Sequence, residues 1–171
     1  MQDLIYFRAL ELDDYKVSIK WRKDESISVQ LGGLHYFVSE AYEKKWVEDK
    51  IYNAKGTEIV LAICLQATDQ YVGNIYLTDI DNINRSAQLH ILLGEASLYG
   101  KGIGTEAISK ILKYGFEERN LHRIYSHVLS YNTASLRTHE KCGFDKEGRL
   151  RNAVFKKGKH HDVIVLSKLN N

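Results

Sequence analysis

Four of the chain's 12 glycines, Gly94, Gly100, Gly102 and Gly104, fall in one short stretch between an apolar segment and a helical pattern. Glycine permits positive φ and lets a ligand lie against the backbone, and the first amides of a helix lack an intrahelical acceptor. Such a loop is a cradle for phosphate or pyrophosphate, to which Lys101 and Thr105 add a cation and a hydroxyl. Two other phosphate motifs fit less well. A P-loop wants four residues between its glycines and a hydroxyl after its lysine, but Gly94 and Gly100 enclose five residues and Gly102 follows Lys101. Gly102 to Ala107 matches GxGxxA, yet the loop follows an apparent antiparallel hairpin rather than a parallel βαβ unit.

The second constellation runs from Asn132 to Phe144. Asn132, Ser135 and His139 stand at i, i+3 and i+7, so on one helix they share a face, as a ligand-facing stripe would. Taken singly, each residue has a plainer role: Asn132 as a cap, Ser135 bonding back to a carbonyl, His139 as packing. Paired with the glycine loop, the stripe becomes a candidate site. His35, His122, His127, His160 and His161 show no metal-ligand spacing with a carboxylate or thiol, so no catalytic metal is expected.

Composition bounds what can position these groups. The 171 residues are 44% hydrophobic and 27% charged, which suits one buried core and a single domain over residues 1–171. No apolar run approaches the ~18–20 residues of a membrane span. A formal charge of +2 lacks the concentrated basicity of nucleic-acid binders, so neither a membrane nor a nucleic acid is an expected partner. Prolines number 0, which leaves turns to glycine, asparagine and aspartate. Cys64 and Cys142 form no CxxC and read as reduced thiols of a cytoplasmic protein; the N-terminus carries no pattern of a targeting signal.

Alternation over 4–10 predicts a strand, and Glu11, Asp13 and Asp14 offer caps for a helix to about Trp21 or Lys23. Residues 24–38 read as irregular. Ser39 caps a helix through Trp46 and Ile51, and the runs 58–65 and 71–77, joined at Thr68-Asp69-Gln70, read as an antiparallel hairpin. A strand at about 87–93 precedes the glycine loop. Ile108, Ile111, Leu112, Gly115 and Phe116 then keep a helical stripe, 123–129 is a strand, 132–142 a helix ended by Gly143, and 144–169 a closing hairpin.

On these residues the chain resembles the GNAT acetyltransferase superfamily, in its branch of RimJ/RimL-type N-acetyltransferases. The opening 4–10 with Asp13-Asp14, the stretch Trp21-Arg22-Lys23-Asp24, the loop Gly100 to Ala107 and the segment Asn132 to Phe144 carry the resemblance. Tyr99 stands where the superfamily carries glutamine or arginine, and Gln88 where relatives often carry glutamate. The resemblance implies an α+β fold: one twisted, mostly antiparallel sheet of about seven strands, splayed between the fourth and fifth and flanked by about four helices. It implies acetyl-CoA held by Gly100, Lys101, Gly102, Ile103, Gly104 and Thr105, with Asn132 and Ser135 nearby. A homodimer is allowed for.

The implied reaction is direct acetyl transfer to a primary amine without a covalent intermediate. A backbone amide at Leu92 or Leu93 would serve the oxyanion, and His139, standing where relatives often place tyrosine, is the general-acid candidate. For the base, His90, Glu95 and a water chain are the candidates, with water favoured. Because Ser26 to Val38 contains no carboxylate, the expected acceptor is a protein N-terminus or an amino sugar rather than a polyamine. His35, Tyr36 and Phe37 are candidates for stacking on a sugar. The competing readings are an acyl-CoA-binding sensor without turnover and, more weakly, a nucleotide-binding regulator.

Overall fold

The computed structural model describes residues 3–31 and 37–171. The chain opens with β1 (Ile5–Arg8) and turns at Leu12–Asp14, where the Asp14 carboxylate accepts the Glu11 N–H at 2.8 Å and both arms of Arg8 at 2.7 and 2.8 Å. That clamp starts α1 (Tyr15–Lys23) as the acidic segment predicted. Within the stretch expected to be irregular there is one more helical turn, α2 (Glu25–Ser28). Asp24 Oδ1 caps it by accepting the Ser26 N–H at 2.8 Å, a short-range signal too brief to register as a periodic pattern. Ser39 caps α3 (Glu40–Tyr52) as expected, accepting from the Tyr42 N–H at 3.1 Å.

The remaining strands are β2 (Ile59–Leu65), β3 (Tyr71–Asp81), β4 (Ser86–Leu93), β5 (Arg123–Leu129), β6 (Asp145–Lys156) and β7 (Lys159–Leu169). With β1 they form one seven-stranded sheet in the order β1-β2-β3-β4-β5-β7-β6. Every pairing is antiparallel except β4 with β5. A parallel neighbour needs a crossover, supplied here by α4 (Ile103–Lys113). The α4 stripe stops before Gly115: Tyr114–Glu118 is a π turn, and a Cβ on Gly115 would stand 2.7 Å from Ile124 Cδ1, so this turn lies close against the sheet. α5 (Thr133–Lys141) follows β5. Among the described residues five helices thus flank the sheet where about four were expected, the addition being α2.

Two apolar layers cover the two faces. Ile63, Leu77, Leu89, Ile108 and Ile111 belong to the core under α4, whereas Trp21, Ala62, Cys64 and Leu92 pack with Val17 and Trp46 of α1 and α3. Adjacent strand residues alternate between these layers, so β4 sends Leu89 one way and Leu92 the other.

Candidate active site

β4 and β5 share only the pairs Ser86↔Arg123, Ala87↔Ile124 and Gln88↔Tyr125 before they diverge. Past that point the facing edges carry backbone groups that the ladder no longer satisfies. Gly94 N–H donates to Val72 O at 2.8 Å, and with the register Gly73↔Leu93 this fixes the parity of β4. Leu92, His90 and Gln88 turn their backbone toward β3; Leu93, Ile91 and Leu89 turn theirs into the gap. Of the two residues expected to offer an oxyanion amide, Leu93 therefore faces the opening and Leu92 does not. The Leu92 side chain instead joins the wall on the α1 side. At the apex, Ser126 Oγ donates to Leu89 O at 2.8 Å and closes the fork.

A cleft of about 700 Å³ runs through this gap and reaches both faces of the sheet. On the α4 side it is bounded by Gly100, Gly102, Ile103, Gly104 and Thr105. Gly102 is the N-cap of α4 at φ +85°, and Gly100 has φ +76° with nothing within 4 Å of where a Cβ would be. Both take conformations that L side chains rarely adopt, and the free α4 amides that follow open onto the cleft. That arrangement fits a pyrophosphate group. Lys101 does not line the cleft and its side chain is exposed, so the expected cation is not part of the wall. Tyr99, at the departure from the superfamily pattern, donates its hydroxyl to Leu93 O at 3.1 Å and so reaches the free edge of β4.

The α5 stripe is present, and its members are engaged with one another and with the fork. Asn132 Oδ1 accepts the Ser135 N–H at 3.1 Å while its Nδ2 donates to Gln30 O at 3.2 Å, so it caps α5 and ties it to the segment after α2. His139 is 2% exposed. Its Nδ1 lies 2.8 Å from Ser135 O, which can only accept, and its Nε2 lies 2.9 Å from Ser126 Oγ. Ser126 in turn holds Leu89 O, so His139 pins the apex of the fork through one hydroxyl. A protonated ring would satisfy all three bonds, but burial pushes the His139 pKa down against the opposing bond to Ser135. Burial favours the neutral ring, whose one proton goes to the Ser135 carbonyl; Nε2 then accepts, and the single Ser126 hydroxyl proton serves either Nε2 or Leu89 O. The imidazolium acid expected from sequence would draw on these same two nitrogens; helix spacing shows which way a side chain points but not how deeply it is buried.

On the α1–α3 side the cleft is walled by Arg22, Trp46, Lys50, Glu58, Tyr76 and His90. Arg22 Nε donates to Glu43 Oε2 at 3.1 Å, and Glu43, 1% exposed, also accepts from Ser18 Oγ at 2.6 Å. The Arg22 guanidinium stands 5.5 Å from the centre of the Trp46 ring and Lys50 Nζ 6.0 Å from it. Lys50 also bridges Glu58 at 2.6 Å. A second depression of about 500 Å³ shares Lys50, Glu58 and Thr78 with the cleft and adds Asp49, Lys55 and Asp79.

The fold thus brings Leu92, Leu93, Gly100, Gly102, Ile103, Gly104, Thr105, Asn132, Ser135 and His139 to one cleft. Glu95, a base candidate, does not line it. Phe37 is fully exposed and away from it, while His35 and Tyr36 lie outside the described residues. Sequence reasoning missed Arg22, Trp46, Lys50, Glu58, Ser126 and Tyr131. Apart from Trp46 and Lys50, one turn apart on α3, they come from separate elements with no motif in common, although alternation along β5 places Ser126 on the face of Ile124 and Val128.

A family model described as an acetyltransferase (GNAT) domain matches residues 5–145. The uncharacterized N-acetyltransferase YokL of Bacillus subtilis is 31% identical over 92% of this chain and 85% of its own. The spermidine N(1)-acetyltransferase of Vibrio cholerae is 29% identical over 95% of this chain and 91% of its own. A crystal structure of the spermidine N-acetyltransferase from Vibrio cholerae, in complex with CoA and spermine, superposes with a TM-score of 0.88 at 27% identity, covering 98% and 96% of the two chains. A putative ribosomal N-acetyltransferase of Bacillus subtilis, YdaF, is 35% identical but over only 57% of this chain and 52% of its own. The ribosomal-type branch suggested by the sequence is therefore matched by less of the chain than the spermidine enzymes. A forked sheet, a cradle of free amides and a match over most of its length place the chain in the GNAT acetyltransferase family, as an acetyl-CoA-dependent N-acetyltransferase.

Proposed function

We propose that the chain acetylates a primary amine of a polyamine, in a ternary complex with acetyl-CoA and without a covalent intermediate. The observation that carries this reading is the second depression. Its carboxylates Asp49, Glu58 and Asp79 adjoin the amine end of the cleft, where a distal ammonium of a long acceptor would lie. Lys50 and Lys55 offset part of that charge, which suits an acceptor held by a few contacts rather than a strongly anionic trough. The spermidine enzymes among the relatives point the same way. The expectation against a polyamine rested on residues 26–38 and the slightly basic charge, whereas these acids come from α3, the approach to β2 and the far end of β3.

In this reading the α4 amides and the positive-φ glycines hold the pyrophosphate. The amides of Ile91 and Leu93, free of the ladder, donate to the thioester carbonyl oxygen as negative charge develops there. One such donor is worth about 10²–10³ in rate. The amine nitrogen attacks from the α1–α3 side, past the Trp46 and Tyr76 rings. His139 acts on geometry, by holding Ser126 and Leu89 at the apex. The departing thiolate takes its proton through water.

Thiol release measured with spermidine, spermine, glucosamine and an alanine-initiated peptide tests the acceptor. The expected result is the highest kcat/KM with spermidine or spermine. Faster turnover of the sugar or the peptide overturns the polyamine reading, and tight CoA binding with no turnover on any amine would favour the sensor.

A further inference from the structure

Gln88 on β4 carries an amide, which cannot take a proton. Two residues further along the same face of β4 stands His90, which lines the cleft beside the gap-facing amide of Ile91. Its Nε2 lies 3.0 Å from Thr78 Oγ1 on β3, and its ring meets Tyr76 edge-on at 6.4 Å. In the tautomer where Nε2–H donates to the Thr78 hydroxyl, the Nδ1 lone pair is left without a partner among the described residues. Continuing the β4–β5 register past Gln88↔Tyr125 sets His127 opposite His90 across the fork, and His127 lines the same cleft.

We propose that His90 is the general base of the acetyl transfer, with Thr78 as the positioning residue that orients its ring. The assignment rests on the transferase reading above. As the amine nitrogen forms its bond to the thioester carbon, one N–H proton passes to His90 Nδ1. The carbon–sulfur bond breaks with its electron pair on sulfur, and the imidazolium then returns its proton through water to the thiolate, giving amide and free thiol.

The surroundings keep the base in its working form. His90 is exposed at the cleft surface; partial desolvation by the wall around its ring and the positive charge that His127 can carry depress its pKa, Asp79 on β3 raises it, and the net direction is down, toward the neutral ring at pH 7. The other ionisable groups in the cleft on this side are Tyr76 of β3, Lys50 of α3, Glu58 before β2 and Arg22 of α1. Tyr125, before His127 on β5, stacks on it at 5.7 Å. Burial pushes Tyr76 up to about 12, so its phenol stays neutral throughout the assay range.

The experiment combines kinetics with a titration that needs no turnover. Wild type, His90→Gln and Thr78→Val are compared for kcat against pH from 5 to 9.5, with CoA affinity by calorimetry as the check of folding. His90→Gln should lose about 100-fold or more in kcat with CoA affinity unchanged. Below the His90 pKa, wild-type log kcat should rise with a slope near two, one proton from the amine and one from His90, whereas the variant keeps a slope near one. Thr78→Val should lose less kcat and move the His90 titration. By NMR of the ring Cε1–H, His90 should titrate below the ordinary ~6.5, and His127→Ala should raise it. A His90→Gln variant within 3-fold of wild type, or one with an unchanged slope, overturns the base assignment, as does a His90 titrating above 7. Wild type that turns over no amine overturns the transferase reading instead, and the titration still decides whether His90 is held in the neutral form a base requires.

Discussion

The two ends of the cleft are built from different materials. The end proposed for the cofactor is backbone: free amides of α4, two glycines at positive φ and the unpaired edge of β4. The amine end is side chains, with Arg22 held by the buried Glu43, Lys50 by Glu58, and the Trp46 ring against both cations. A backbone cradle of this kind suits a pyrophosphate group and depends little on side-chain identity. A wall of side chains can change acceptor without disturbing that cradle. Mutations at the two ends should therefore separate cleanly into CoA affinity and amine KM.

The largest effect is expected at Gly102. Its φ of +85° is disfavoured for a β-branched residue, and a Cβ would stand 3.6 Å from Leu4 Cδ1, so the chain has room to fold around the change. Gly102→Val should weaken CoA binding by about 100-fold or more in calorimetry and erase the rise in Tm that acetyl-CoA gives wild type. That rise corresponds to ~2.7 kcal/mol at 100 times Kd. Retained CoA affinity would break the division of labour at its root.

At the apex between the two ends, His139→Ala leaves Ser126 and a buried space without their partner. Stability should fall by about 2–4 kcal/mol in urea unfolding, with a loss of kcat that has the same size at every pH. A selective loss at low pH, where an imidazolium would act, would instead restore the acid role read from the sequence. The pH dependence of stability has a definite sign. A histidine whose folded pKa lies below its unfolded value leaves the unfolded chain with more bound protons. Wild-type stability should therefore decline as pH falls through the unfolded value of ~6.5, and His139→Asn should flatten that decline.

On the amine side, Trp46→Ala should raise the polyamine KM about 10-fold while leaving CoA affinity within 2-fold, as seen in steady-state kinetics and calorimetry. The smallest effect is expected at Tyr131, whose hydroxyl donates to Val29 O at 2.5 Å and fastens the segment after α2 to the start of α5. Tyr131→Phe should cost about 0.5–1.5 kcal/mol and change amine KM more than CoA affinity. An equal change in both would show that this fastening couples the two ends.

Much of the fold was legible in the sequence because local rules carry it. Ser39 and Asn132 cap the helices predicted for them, the turn at Thr68-Asp69-Gln70 joins an antiparallel pair, and the amphipathic stripe of α4 lies on the sheet. The glycine loop was legible for the same reason, since a positive φ and a helix N-terminus are properties of neighbouring residues. α2 escaped because one turn is too short for a period. The amine wall escaped because Arg22, Trp46, Glu58 and Tyr76 sit on four separate parts of the chain, with only the sheet to bring them together.

By itself, then, the sequence determined the elements, the glycine loop before α4 and the family resemblance, all of which depend on spacings of a few residues. Only the tertiary structure decided what each titratable group can do. Burial depth and partner geometry follow from packing between segments: they set His139 Nε2 against Ser126 at the apex, with Nδ1 against Ser135 O of its own helix, and they set His90 Nε2 beside Thr78 Oγ1. Parity decided the same question for the backbone. Whether Leu92 or Leu93 offers its amide to the gap turns on a single register with β3, fixed by one hydrogen bond from Gly94 to Val72 across the sheet.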